Sequence, residues 1–157
     1  MNYSQVIYND MVNGVGIGTC LFVSGCEFNC KGCFNKKAQN FNNGKEFDAE
    51  EFLLTIPKTD DRLSILGGEP LHPFNLATVL YLCSRYKQNH PDNKIWLWTG
   101  YKLDTLPARV KELLLNHVDY IIDGQYESEK PTHKPFRGSD NQILYKNDCH
   151  RQFIEVE

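Results

Sequence analysis

The sequence predicts an α/β fold on a mainly parallel sheet, drawn either as an open, curved partial barrel or as a small doubly wound sheet. Three observations lead there. Short apolar runs alternate with stretches of helical periodicity, which implies βαβ units with right-handed crossovers. Four or five such strands in 157 residues cannot complete an eight-fold barrel, which takes roughly 200 residues or more. The residues suited to chemistry also fall just after predicted strands, where such sheets gather their sites.

The elements follow in order. Residues 19–23 form an apolar run between Gly18 and Gly25 and read as a buried strand, with a cysteine-rich segment directly after it. Asp48 caps a short helix over 49–56, which Pro57 stops. Residues 63–66 are a second strand, ended by Gly67 and Gly68. Asn75 opens the clearest helix, in which Leu76, Val79, Leu80 and Cys83 recur at i, i+3, i+4 and i+7 before Pro91. Residues 94–98 are a third strand, closed by Thr99, Gly100 and Tyr101. Leu106, Val110, Leu113 and Leu114 mark another amphipathic helix, and 118–122 a fourth strand ended by Asp123 and Gly124. From 125 to 141 the chain is polar and irregular, long for a loop in a compact domain, and is expected to face a partner. Two strand-like pieces, 142–145 and 152–156, flank a turn at Lys146, Asn147 and Asp148. No repeat or composition shift marks a second unit, so one domain is expected over 1–157.

Composition narrows the function. Hydrophobic residues at 41% and charged residues at 24% exclude wholesale disorder. A net charge of −3, from 17 basic and 20 acidic residues, advertises neither nucleic acid nor an anionic membrane. The first ten residues lack the layout of a signal peptide, and no apolar run approaches the ~20 residues of a membrane helix. A cytoplasmic protein is expected.

Six cysteines are present, and three of them cluster: Cys26, Cys30 and Cys33, spaced C-x3-C-x2-C. Clustered thiols in a reducing compartment are metal ligands or catalysts more often than bridges. Structural zinc normally takes four protein ligands as two separated pairs, and the second pair is missing here. A cubane iron–sulfur cluster takes one cysteine per iron, so three would leave one iron open to an exogenous ligand. The second motif is Gly67, Gly68, Glu69 and Pro70 at a strand end. Paired glycines allow close backbone approach to a ligand, and a carboxylate suits an ammonium. Cys20 and Cys83 lie within apolar patterns and read as core, while Cys149 and His150 form a lone pair near the end of the chain. Trp96 and Trp98 share one strand face and read as packing. Gly14, Gly16 and Gly18 precede a strand instead of following one, which argues against a phosphate-cradling loop.

The cysteine spacing and the Gly-Gly-Glu segment resemble the radical S-adenosylmethionine superfamily. Asn13-Gly14, residues 21–26, Cys33-Phe34-Asn35, residues 67–72, Trp98-Thr99-Gly100-Tyr101 and residues 137–142 together resemble the anaerobic ribonucleotide reductase activating proteins, from about residue 10 to 145. One departure is visible at Gly18, where that family often carries an arginine. The resemblance implies an open partial (β/α) barrel of the radical S-adenosylmethionine type, with a cluster loop at 26–34. It implies a 4Fe–4S cluster held by Cys26, Cys30 and Cys33, whose open iron chelates S-adenosylmethionine. Gly32, Cys33 and Phe34 would touch that cofactor, Gly67, Gly68 and Glu69 would hold its methionine end, and Thr99 and Asp123 would make ribose or other polar contacts. No catalytic residue beyond the cluster and the bound cofactor is implied. One-electron cleavage would give methionine and a 5′-deoxyadenosyl radical, which takes hydrogen from a glycine in the reductase. The implied partners are the large reductase subunit, through its glycyl radical loop, and an electron donor such as a flavodoxin or ferredoxin. Two competing readings are a radical S-adenosylmethionine enzyme acting on a small molecule and a zinc-stabilised binding module without catalysis.

Overall fold

The computed structural model describes residues 1–148 and 150–157, so Cys149 lies outside the described residues, and with it the Cys149–His150 pair. Eight strands form one sheet: β1 (Asn2–Asp10), β2 (Gly18–Val23), β3 (Lys45–Glu46), β4 (Arg62–Gly67), β5 (Lys94–Trp98), β6 (Tyr120–Asp123), β7 (Ile143–Asn147) and β8 (Phe153–Val156). The helices are α1 (Ala49–Thr55), α2 (Pro73–Asn89) and α3 (Ala108–Leu115), with short 3-10 turns at Lys36–Gln39 and Leu103–Thr105. The sheet order is β3-β1-β2-β4-β5-β6-β7-β8.

This corrects the expected architecture. The sheet is mixed: β2, β4, β5 and β6 run parallel, but four of the seven pairings are antiparallel, so it is neither a mainly parallel sheet nor an open partial (β/α) barrel. The reason lies in the connections. A parallel neighbour needs a crossover of a dozen or more residues, usually a helix, whereas short links return the chain antiparallel. Among the described residues no helix separates β1 from β2, or β7 from β8, and both pairs turn back on themselves. The strand β1 and the two-residue β3 have no counterpart in the sequence reading.

Local chemistry explains the helix starts. Asp48 Oδ1 accepts the Glu51 N–H at 3.0 Å, the expected cap of α1. The helix α2 begins two residues before Asn75. His72 Nδ1 accepts the Phe74 N–H at 3.1 Å and Pro73 takes the first helical position, where its missing N–H costs nothing. Asn75 is fully buried instead, and its Nδ2 donates to Ser24 O and Glu69 O, both at 3.0 Å. It thereby ties the end of β2 to the end of β4.

Strand alternation sorts the core into two faces. Leu21, Val23, Leu63, Ile65, Ile95, Leu97 and Ile121 face the helices and pack with Val79, Leu82, Tyr86 and Leu114. Cys83 joins this core, as the helical stripe predicts. On the opposite face Trp96, Ile122 and Leu144 pack with Trp98, Tyr120 and Phe136. That face also carries Arg62, fully buried, whose Nη2 donates to Asp10 Oδ2 at 2.8 Å and to Asp10 O at 2.6 Å. The loop from β1 to β2 closes over this pair. A Cβ at Gly18 would stand 2.6 Å from Arg62 Nε, so the Arg62 side chain takes the space beside the position where the resembled family often carries its own arginine. Among the described residues, no helix is long and apolar enough to cross a membrane.

Candidate metal and cofactor site

The carboxyl ends of β2, β4, β5 and β6 surround a cavity of about 530 Å³. Cys26, Cys30 and Cys33 all reach its wall, together with Gly67, Gly68 and Glu69. Two motifs 34 residues apart in sequence, Cys33 to Gly67, therefore meet because they end neighbouring parallel strands, Val23 lying opposite Gly67.

Backbone bonds hold the cysteine loop at its base. Gly25 N–H donates to Ala38 O at 2.6 Å and Cys26 N–H to Gln39 O at 3.1 Å, while Cys33 N–H closes a turn onto Cys30 O at 3.1 Å. Gly25 has φ +97°, and a side chain there would run into the Phe41 ring. Burial pushes the Cys26 and Cys30 thiols above their ordinary value. They are poised as neutral thiols until a metal draws the protons off, as thiolate ligation requires. Among the described residues no three His, Cys, Asp or Glu side chains are gathered tightly enough to hold a single metal ion. Thiolates on one zinc would lie about 3.8 Å apart, given a Zn–S bond of ~2.3 Å. The three thiols instead share the wall of a cavity, and an all-sulfur donor set of this kind suits an iron–sulfur cluster.

Glu69 is 1% exposed. Its Oε1 accepts from Leu71 N–H at 2.9 Å and from the Thr99 hydroxyl at 2.7 Å, and its Oε2 accepts the Gly100 N–H at 2.7 Å. Burial raises its pKa to about 7 against the effect of those three donors. Among the described residues no cationic side chain forms a salt bridge with it. A buried carboxylate normally has a positive partner. This one faces a cavity in which an ammonium could supply it.

The other predicted residues are distributed unevenly. Thr99 reaches the cavity wall, but its hydroxyl is spent on Glu69. Asp123 is buried behind the wall, where Oδ2 accepts the Leu103 N–H at 2.7 Å and Lys102 Nζ stands 3.9 Å from Oδ1. Gly32 also lies off the wall, with Ser128 Cβ 3.2 Å from the position a Cβ would take, and its φ is +73°. Phe34 lines the cavity, is 83% exposed, and pairs with Tyr126 at 4.9 Å between ring centroids. Phe28, Trp98, Gln125 and Tyr126 are among the further wall residues for which the sequence carries no site reading. The one usable sequence signal was aromatic residues beside the strand ends.

Residues 125–141 form an ordered strap over the second sheet face. The Trp98 indole N–H donates to Phe136 O at 2.8 Å, the Glu127 N–H to the buried Ser139 hydroxyl at 3.1 Å, and Arg137 Nη2 to Val156 O at 2.8 Å. Phe136 has φ +65°, a strained conformation for a bulky residue, held by its edge-on contact with Trp96.

Comparison with known proteins supports an iron–sulfur cluster. A family model described as a 4Fe-4S single cluster domain matches residues 12–145. The chain is 42% identical over 152 residues to the anaerobic ribonucleoside-triphosphate reductase-activating protein of Enterobacteria phage T4, covering 94% of this chain and 95% of that protein. It is 42% identical over 154 residues to the protein of the same name from Pasteurella multocida, covering 93% and 98%. The Escherichia coli protein of that name is 38% identical over 152 residues, covering 92% and 98%. No solved structure matches the chain. Identity of this order over nearly the whole of both chains shows that this chain belongs to the family of anaerobic ribonucleoside-triphosphate reductase-activating proteins.

Proposed function

We propose that the chain activates an anaerobic ribonucleoside-triphosphate reductase by generating a glycyl radical on it, using a 4Fe–4S cluster and S-adenosylmethionine. The observation that carries the reading is the meeting of three thiols with an unpaired buried carboxylate on one cavity. The chemistry supplied there, once cluster and cofactor are bound, is one-electron cleavage of the sulfonium and hydrogen abstraction from a backbone glycine of the partner.

The chain's own residues do the holding. Cys26, Cys30 and Cys33 bind three irons as thiolates and release their protons in doing so. Glu69 takes the ammonium of the methionine end, kept in place by Leu71, Thr99 and Gly100. Phe34 and Tyr126, whose rings tilt 50° to one another, offer an apolar edge for the adenine, and Phe28 and Trp98 help keep water from the cavity. The names of the relatives support a reductase as the protein acted on, and a small donor such as a flavodoxin or ferredoxin would supply the electron.

The deciding experiment is anaerobic reconstitution with iron and sulfide, followed by electron paramagnetic resonance of a mixture with reductase, reductant and S-adenosylmethionine. A reduced cluster signal followed by an organic radical on the reductase is expected. A colourless protein that retains zinc and takes up no iron would overturn the reading.

A further inference from the structure

The three residues that close β5 touch both halves of the site at once. On one side the Thr99 hydroxyl and the Gly100 N–H donate to the two oxygens of Glu69, each at 2.7 Å. On the other side the Tyr101 hydroxyl donates to the Glu27 carboxylate, and the Tyr101 ring meets Phe28 edge-on with centroids 4.8 Å apart. Glu27 and Phe28 directly follow Cys26 in the chain. The segment is itself braced, since Tyr101 N–H donates to Thr99 Oγ1 at 3.1 Å and Gly124 N–H donates to Tyr101 O at 3.2 Å.

Between the two sets of contacts sits Gly100. A Cβ built there would stand 2.5 Å from each of two carbons of the Phe28 ring. Gly100 is not among the glycines with positive φ, so the backbone does not demand glycine at this position. The aromatic ring does. The far side of the cysteine loop has weaker restraints: Lys31 and Glu129 form an ion pair at 3.1 Å with both side chains more than 80% exposed, at 85% and 81%. Exposed pairs of this kind contribute little.

We propose that Thr99, Gly100 and Tyr101 form a bracket that sets the spacing between the cysteine loop and Glu69, with Gly100 as a positioning residue whose missing side chain seats Phe28. The inference rests on the reading of Cys26, Cys30 and Cys33 as cluster ligands and of Glu69 as the cofactor's carboxylate. None of the bracket residues is asked to touch a reacting atom. Their effect is to hold the cluster end and the methionine end at a fixed spacing, and displacing Phe28 loosens that hold at the cluster end while the Thr99 and Gly100 contacts to Glu69 remain.

The test uses the full chain as wild type, Gly100→Ala, Phe28→Ala and the double variant. In the cluster-free protein, the rate of iodoacetamide labelling at Cys26, Cys30 and Cys33 reads the seating of the loop, with buried Cys83 as an internal reference. A carbon crowded against the Phe28 ring must displace it, so Gly100→Ala should speed labelling of Cys26 about fivefold or more while Cys83 stays silent. The double variant should fall back toward wild type, because the ring that clashes is gone. After reconstitution, the midpoint potential and resonance spectrum of the reduced cluster should shift in Gly100→Ala and return in the double variant. Unchanged labelling in Gly100→Ala, or a double variant worse than both singles, overturns the bracket. If Cys83 also becomes reactive, Gly100→Ala has unfolded and Tyr101→Phe decides instead. That variant keeps the ring volume, and it must still raise labelling of Cys26 for the bracket to stand. A wild-type chain that takes up no cluster refutes the functional reading alone, since the labelling pattern judges the bracket without any iron.

Discussion

Gly68 is where the sequence and the structure predict different outcomes for one substitution. Read from the sequence, the paired glycines let a ligand approach, so a side chain at 68 should weaken cofactor binding and spare the iron. In the structure, the space beside Gly68 is already filled by protein. A Cβ would lie 2.5 Å from Gly25 O, 2.9 Å from Ala38 O and 3.0 Å from Gly25 C, all backbone atoms that cannot rotate away. Relief therefore requires Gly25 to retreat. Its carbonyl is the acceptor for the Glu69 N–H at 2.7 Å, and it belongs to the residue before Cys26. Overpacking of this kind costs ~1–3 kcal/mol and a lost hydrogen bond adds ~1 kcal/mol, which places Gly68→Ala about 2–4 kcal/mol below wild type. Urea unfolding of the cluster-free chain measures that loss, and iron analysis after reconstitution should fall with it. A Gly68→Ala protein of normal stability and iron content that fails to bind S-adenosylmethionine would refute the packing argument and return the glycine to the ligand.

Three further outcomes follow from the same contacts. Cys30→Ala should leave a reconstituted chain with little iron and no cluster spectrum, whereas Cys83→Ala, in the helical core, should alter only the unfolding midpoint; normal iron in the first would remove Cys30 from the ligand set. Burial raises Glu69 from an ordinary 4.5 to about 7, so the folded chain holds this proton more tightly than the unfolded one, and the stability it contributes is complete below 4.5 and lost as pH rises through 7. Unfolding midpoints of wild type should thus decline across that window, and Glu69→Gln should flatten the decline; parallel curves would contradict the assignment. Arg62→Met strands the Asp10 carboxylate, which is 8% exposed, and should cost ~3–5 kcal/mol, with much of that recovered when Asp10→Leu is added; equal losses in the single and double variants would show that the pair is not the source.

What could be read in advance was local. The β5 bounds, the apolar stripe of α2 and the Asp48 cap each depend on residues a few positions apart, and each is present. The β1 strand was missed because its alternation fails: Val6 and Ile7 stand side by side, and the ladder to β2 shifts between Tyr3 and Gln5 and again before Asp10. Strand direction is not legible in an apolar run, which looks the same in parallel and antiparallel sheets, and the helices between the central strands point only to the parallel part. The informative signal was their absence at 11–17 and after β6. The same limit applied within the site. Cysteine spacing is a property of eight consecutive residues, but Asp123 could be placed at a strand end without revealing that it turns inward to the Leu103 N–H.

The mixed sheet gives the site two kinds of support. The four parallel strands bring their carboxyl ends to one rim, so that residues following Val23, Gly67, Trp98 and Asp123 become neighbours. A parallel core alone would leave the opposite sheet face, with Trp96, Trp98 and Ile122, open to water. The antiparallel additions cover it: the β1–β2 loop closes over Arg62, and the strap of residues 125–141 lays Phe136 against Trp96 before β7 returns beside β6. Both coverings also reach the cavity wall, through Val12 and Asn13 on one side and Tyr126, Arg137 and Gly138 on the other. The elements that make the fold depart from a barrel thus add walls to its site, and a short chain obtains a lined, open cavity without the additional strands a closed barrel would need.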